Sequence, residues 1–476
     1  MEKTLPVFVL DTYPAADQEK IDSLLKKELD QNKTKIVVLD DDPTGVQTVH
    51  DISVYTDWTP ESIRNGFLDK NKVFYILTNS RGLTEDETTK IHREIGKTIA
   101  SVSHETGIPY MIMSRSDSTL RGYYPLEPQL LREAMEADGF HLDGEVLCPF
   151  FKEGGRFTIN NVHYVKNGDE LVPAAQTEFA KDKTFGYKHS SIPEYIQEKT
   201  KGKYKAEDVI CISLDDLRSM NLDKITRQLT EAENFQKICV NAIDYSDIKT
   251  FCICLYRAMA DGKEFMFRTA AGLVKAAGGI TDRPLLTYDE MVSPDSGNGG
   301  LVVVGSHTQK TTQQLEELLK LENVVPVAFD SDKVLESDQN FRAEIDRCLR
   351  AEEEIIKGGK TAAVYTKRTL LSLDDDTKES ALQRSVKISD GVQRLVGELE
   401  VEPSFIIAKG GITSSDIGTK ALKVKRANVL GQICPGIPVW QTGDESRFPN
   451  KAYVIFPGNV GDSETLKEAV EILTRK

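Results

Sequence analysis

The sequence predicts an α/β protein: two α/β domains with mainly parallel sheets and an interdomain cleft. Three observations lead there. Short apolar runs of strand length alternate with helical periodicities along the chain. The length, 476 residues, exceeds what one hydrophobic core usually supports. Between two such alternating halves lies Ser293-Pro294-Asp295-Ser296-Gly297-Asn298-Gly299-Gly300, rich in turn formers and without apolar periodicity. The resulting divisions are a helical N-terminal extension over 1–34, a first α/β domain over 35–292, a linker over 293–300 and a second α/β domain over 301–476.

The elements follow in chain order. Ile21, Leu24, Leu25 and Leu29 recur at helical spacing and predict an amphipathic helix ahead of the first strand, packing on the body or on a partner chain. Strands are expected at 36–39, 73–77, 109–113, 145–148, 209–213 and 238–243, then at 301–304, 324–329, 362–366, 404–408, 436–441 and 453–456. Most are unbroken apolar runs, as strands buried on both faces of a parallel sheet require. Helical stripes such as Leu315, Leu318, Leu319 and Val392, Leu395, Val396, Leu399 lie between them.

Bulk properties narrow the function. A net charge of −15 argues against a general binder of nucleic acid or anionic membrane, which needs a basic face. No apolar stretch reaches the ~18 residues of a membrane span, and no basic segment leads into an apolar one at the N-terminus. Seven scattered cysteines, most inside apolar runs, read as reduced core residues of a cytoplasmic protein. Cys252-x-Cys254 has no second pair to complete a zinc site. The triplet Asp374-Asp375-Asp376 follows no strand and reads as a solvated loop.

The richest segment is Val37-Val38-Leu39-Asp40-Asp41-Asp42-Pro43-Thr44-Gly45, a strand running into three carboxylates, a proline and a turn. Acids stacked at a strand end repel one another, and a cation or a proton-donating substrate relieves that repulsion. Two further strands end similarly, in Thr78-Asn79-Ser80-Arg81-Gly82-Leu83 and in Ser114-Arg115-Ser116-Asp117-Ser118-Thr119-Leu120-Arg121-Gly122. Ligands of open α/β sheets bind at such ends. The acids suit hydroxyls or a metal, and the arginines suit a carboxylate ligand. The alternative for Arg81 and Arg121 is pairing with a nearby Asp or Glu.

The pattern Asp41-Asp42-x-Thr44-Gly45, then Ser80-Arg81, then Asp117-Ser118-Thr119-Leu120-Arg121-Gly122 resembles the four-carbon acid sugar kinases. The likeness continues through Gly155-Arg156-Phe157-Thr158, Val162-His163-Tyr164, Gly305-Ser306, Lys409-Gly410-Gly411-Ile412-Thr413-Ser414 and Phe456-Pro457-Gly458-Asn459-Val460-Gly461. It implies ATP-dependent phosphorylation of the terminal hydroxyl of a tetronate or 3-oxo-tetronate, with the sugar acid on the first domain and ATP on the second. Carried over by motif, Ser306, Gly410, Gly411, Ile412, Thr413 and Gly458 contact the nucleotide. Two departures stand out: Ile412 where many relatives have an acid, and Tyr123 where asparagine is common. The extended Gln47-Thr48-Val49-His50-Asp51 marks a subgroup.

The residues of the second half fit that reading. Leu301 to Val304 leads into Gly305-Ser306-His307-Thr308, with a helix expected from Thr311 or Thr312. Ile406 to Ala408 leads into Lys409-Gly410-Gly411, where adjacent glycines can form an anion nest and Lys409 can neutralise phosphate. A plain strand–turn–helix with Ser415 as N-cap is the alternative. His307 is expected to cap locally or to serve the core. Magnesium is expected to bridge the phosphates, with no protein ligands identifiable.

In the mechanism this implies, Arg81 or Arg121 grips the substrate carboxylate. A carboxylate of the Asp41–Asp42 pair, or Asp117, takes the hydroxyl proton, and Asp42 and Asp117 are the preferred bases. Clustering is expected to raise their pKa values. Asp41, Thr44, Gly45, Ser80, Ser118 and Gly122 complete the substrate wall, and a hinge near 293–300 closes the domains. A homodimer is compatible with the sequence. Two other functions fit a two-domain α/β chain: a non-catalytic sugar-acid and nucleotide sensor, and an NAD-dependent sugar-acid oxidoreductase. The lack of GxGxxG after any strand counts against the latter.

Overall fold

The computed structural model describes residues 2–293, 297–369, 371, 378–458 and 460–474. Pro294, Asp295 and Ser296 of the expected linker, the triplet Asp374 to Asp376, and Asn459 lie outside the described residues. Two compact units emerge, one of 1–48 with 57–282 and one of 49–56 with 283–476. Both are α/β with mainly parallel sheets.

In the first unit the strands lie in the order Ile210–Ile212, Gln236–Val240, Gly144–Cys148, Phe265–Thr269, Tyr110–Arg115, Lys35–Asp40, Val73–Leu77, all parallel. Lys35–Asp40 is buried along its whole length, which explains its unbroken aliphatic run. A second, antiparallel sheet joins Leu5–Pro6, Glu170–Pro173, Val162–Asn167 and Arg156–Ile159. The N-terminal helix spans Gln18–Gln31, with the Asp17 side chain accepting from Lys20 N at 3.1 Å as its cap. Ile21 and Leu25 are buried. Ion pairs from Asp22 to Lys249 (2.7 Å) and from Glu28 to Arg257 (2.9 Å) fasten it to helix Tyr245–Ala260.

The second unit's sheet runs Ile52–Tyr55, Arg426–Cys434, Ile437–Thr442, Ala452–Phe456, Phe405–Lys409, Leu301–Val304, Thr361–Thr366, Val324–Phe329. Pairings are antiparallel up to Ala452–Phe456 and parallel beyond it. Its core packs Val302, Val304, Ile407, Val454 and Phe456 against Leu466, Val470 and Leu473 of helix Thr465–Thr474.

Every strand expected from the apolar runs is present. Phe265–Thr269, Arg426–Cys434, Ile52–Tyr55 and the small antiparallel sheet come in addition. Helix Gln309–Leu318 starts earlier than expected, because Thr308 rather than a later threonine caps it, accepting from Thr311 N at 3.2 Å. The turn after Phe405–Lys409 is also shorter than expected: Gly410 is the N-cap and the helix begins at Gly411, so Ser415 lies inside it.

Candidate functional site

Parallel register sets the first unit's site. Asp40 is level with Leu77 on one neighbouring strand and with Arg115 on the other. Backbone pairing continues past the strand ends, from Thr78 N to Asp40 O (2.8 Å), Asp41 N to Arg115 O (3.3 Å) and Arg81 N to Asp41 O (3.4 Å). The three loops flagged in the sequence are thereby stitched side by side.

Arginines relieve the acidic repulsion. Arg115 Nη1 donates to Asp40 Oδ1 at 2.9 Å and to Asp41 Oδ1 at 3.3 Å. Arg81 pairs with Asp42 and lies 3.5 Å from Asp117 Oδ1, so one guanidinium joins the two preferred bases. Asp42 Oδ1 also accepts from Thr44 N at 2.8 Å. Asp117 accepts from Thr119 Oγ1 and from Arg121 Nε, the latter at 2.6 Å. Arg81 and Arg121 are therefore both paired with carboxylates of the site.

These contacts split the acids into two classes. Burial pushes Asp40 up to about 7, against the pull of Arg115, and burial likewise raises Asp41. Asp42 and Asp117 are only mostly buried, and the positive charges beside them win. Arg81 and the Thr44 hydrogen bonds hold Asp42 below the usual carboxylate range, and Arg121 with Arg81 holds Asp117 there. The two preferred bases are thus depressed, contrary to the rise expected from clustering, because arginine charges together with hydrogen bonds from Thr44 and Thr119 outweigh their desolvation.

The rest of the wall is equally interlocked. Ser80 Oγ donates to Glu127 Oε1 at 2.5 Å, and Arg268 Nη1 donates to Glu127 Oε2 at 2.6 Å. Arg268 Nη2 donates to Arg121 O at 3.2 Å. Gly122, at φ +112°, leaves room for that guanidinium, since a Cβ there would stand 2.7 Å from Arg268 Nη2. Leu120 has φ +68°, a conformation costing an L-residue ~1–3 kcal/mol. Three hydrogen bonds hold this strained loop: Tyr187 OH to Thr119 O (2.7 Å), Tyr195 OH to Leu120 O (2.9 Å) and His163 Nε2 to Ser118 O (2.8 Å). His163 is buried, and burial lowers it to about 4. Its ring is thus neutral, with Nε2 donating and Nδ1 accepting from Thr158 Oγ1 at 3.0 Å. Tyr123 donates to Leu83 O at 2.6 Å.

Three turns converge in the second unit. Gly305 N and Ser306 N donate to Lys409 O, each at 3.3 Å, and Gly410 N donates to Phe456 O at 2.9 Å. Thr311 Oγ1 donates to Ser306 Oγ at 3.0 Å, and Thr308 Oγ1 to Gly458 O at 3.2 Å. The first amide of the following helix to find a backbone acceptor is Ser414 N, on Gly410 O at 2.8 Å. Gly411, Ile412 and Thr413 therefore occupy the turn whose amides lack intrahelical acceptors. Ile412 is 73% exposed. Lys409 is buried, its Nζ donating to Pro457 O at 2.6 Å above the Phe456 ring, and burial lowers it to about 7. Its ammonium fastens the Pro457–Gly458 turn from beneath. His307 Nε2 lies 3.4 Å from Thr366 Oγ1.

Residues 36–277 match a family profile described as a sugar-binding N-terminal domain, and residues 301–466 match one described as a nucleotide-binding C-terminal domain. The chain belongs to the four-carbon acid sugar kinase family. No curated protein matches it. Two crystal structures share the fold of this family member. One is a Salmonella typhimurium LT2 protein carrying a provisional tRNA synthase label, 15% identical, with 92% of this chain and 99% of that chain covered and a TM-score of 0.65. The other is a Haemophilus influenzae protein of the DUF1537 family, 16% identical, with 92% and 100% covered and a TM-score of 0.61.

Within the four-carbon acid sugar kinase architecture, the structure brings Asp41, Asp42, Thr44, Gly45, Ser80, Arg81, Asp117, Ser118, Arg121 and Gly122 into one cluster in the first unit. Ser306, Lys409, Gly410, Gly411, Ile412, Thr413 and Gly458 gather in the second. Glu127 and Arg268 escaped the sequence reading: one sits in a helix, the other inside an apolar strand. A buried charge in such a run was the only available signal. Among the described residues no group of His, Cys, Asp and Glu side chains is arranged to hold a metal ion, and the acids of the loop each face an arginine. These residues do not fit a resident cation. No described helix is long and apolar enough to cross a membrane.

Proposed function

We propose that the protein is an ATP-dependent kinase that phosphorylates the terminal hydroxyl of a four-carbon sugar acid, a tetronate or 3-oxo-tetronate, in the cytoplasm. The observation that carries the reading is the Asp42–Arg81–Asp117 bridge at the strand ends of a sugar-binding domain, in a chain that also holds a nucleotide-binding domain. Asp42 and Asp117 stay ionised at neutral pH, so either can accept or orient the proton of a bound hydroxyl. Ser118 and Thr44 offer hydroxyl partners to the sugar, whereas Ser80, fully buried and bonded to Glu127, supports the wall from behind.

Ser306, Gly411, Thr413 and Gly458 supply small polar groups for phosphate and ribose, and Ile412 offers apolar surface to a base. Magnesium enters with ATP as part of the nucleotide substrate. The absence of an acid at Ile412 gives a nucleotide-binding sensor some weight. ADP release under Mg·ATP, measured across a panel of four-carbon sugar acids with wild type and Asp117→Asn, decides between the two. Acid-dependent release lost in the variant supports the kinase, and nucleotide binding without release for any acid sinks it.

A further inference from the structure

Arginines surround the Asp42–Asp117 bridge, and all but one have an acid. Arg81 is taken by Asp42 and Asp117, Arg115 by Asp40 and Asp41, Arg121 by Asp117, and Arg268 by Glu127. Arg156 is the exception. Among the described residues it has no salt bridge, and its Nε is buried with no hydrogen-bond partner. Its Nη1 donates to Gly154 O, a local carbonyl. Burial lowers its pKa, and the charges of Asp117, Arg121 and Glu178 act on it.

The position of Arg156 is built. Its backbone is pinned by reciprocal hydrogen bonds with Phe151, at 2.8 and 3.1 Å. Its guanidinium carbon lies 5.6 Å from the centroid of the Phe179 ring, over which Arg121 also sits at 5.1 Å. This contact with the ring face uses none of its N–H donors. Two strand positions on, Thr158 contacts His163, which in turn holds Ser118 O. The strand carrying Arg156 is thereby tied to the loop carrying Asp117.

A guanidinium nitrogen buried without an acceptor is costly unless a ligand supplies one. We propose that Arg156 is the residue that takes the carboxylate of the substrate, selecting sugar acids over neutral sugars by a bidentate contact. This rests on the reading of the first unit as a sugar-acid site. It moves the carboxylate grip away from Arg81 and Arg121, whose charges are spent on holding Asp42 and Asp117 ionised.

Calorimetric titration of the full chain with D-threonate, L-threonate and D-erythronate, against the matching uncharged tetritols, tests it in wild type, Arg156→Met and Arg156→Lys. Wild type is expected to bind at least one acid at least about thirtyfold more tightly than its tetritol. Arg156→Met should bring that acid to the tetritol level. Arg156→Lys, keeping the charge without the fork, should fall between, and tetritol binding should not change in either. Arg156→Lys decides alone if the Met variant does not fold. Unchanged acid binding in the variants, or a wild type that does not prefer the acid, overturns the proposal. ADP release separates the two claims. Acid binding that depends on Arg156 without any ADP release refutes the kinase and supports the grip; release with an unchanged KM for the acid in Arg156→Met supports the kinase and refutes the grip.

Discussion

Gly45 and Asp40 pack with no room for a side chain between them: a Cβ on Gly45 would stand 2.1 Å from Asp40 Oδ2. The Asp40 carboxylate cannot retreat, because Arg115 holds its other oxygen and the whole residue is buried. Gly45→Ala should destabilise the protein by ~1–3 kcal/mol through overpacking, seen as a lower urea midpoint. An unchanged midpoint would mean that the turn relaxes freely.

Arg81 lowers the pKa of both Asp42 and Asp117. Its removal should raise both. In Arg81→Gln the acid limb of the pH–rate profile should move to higher pH, because more of the base is protonated at any given pH below neutrality. Arg81→Lys, a point charge without the fork, should shift it less. A limb that stays in place in Arg81→Gln would show that neither acid is the base.

His163 binds its proton less readily folded, at about 4, than unfolded, near 6.5. Between those values the unfolded chain carries more protons. The contribution of His163 to stability is therefore full above about 6.5 and is lost as pH falls toward 4, amounting to roughly 3 kcal/mol. Asp40, raised to about 7, acts with the opposite sign, its contribution fading as pH rises from about 4 to 7. Denaturation of wild type and His163→Gln at pH 7 and pH 5 isolates the histidine: the loss on acidification should be smaller in the variant.

Ile412 is exposed in the first turn after Gly410. Ile412→Ala should leave stability within ~0.5 kcal/mol yet weaken binding of a non-hydrolysable ATP analogue by about tenfold, the value of apolar area covered by a base. Equal affinities in a calorimetric titration would place the base elsewhere.

Legibility of the chain tracked sequence distance. The acid run, its strand and the two arginine loops could be read because each is a local pattern of a few residues. What those charges do to one another could not. Asp42 touches Arg81 across one strand pairing, and Glu127 meets Arg268 across 141 positions, so the sign of a pKa shift depends on contacts that no window contains. Arg268 hides inside Phe265–Thr269, where one charge in an apolar run breaks the expected pattern. Lys409, read as able to neutralise phosphate, proved buried, because the loop carbonyl it satisfies comes from 48 residues away.

The strand Ile52–Tyr55 pairs antiparallel with Arg426–Val429, although it sits in sequence within the first half. Neither unit can therefore be excised as one uninterrupted piece. Expression from residue 283 onward would leave the Arg426–Val429 backbone without this partner, an adhesive border ready to recruit a foreign strand or a second copy. Dissection of the protein calls for a circular rearrangement or for a short peptide spanning 49–56 supplied in trans.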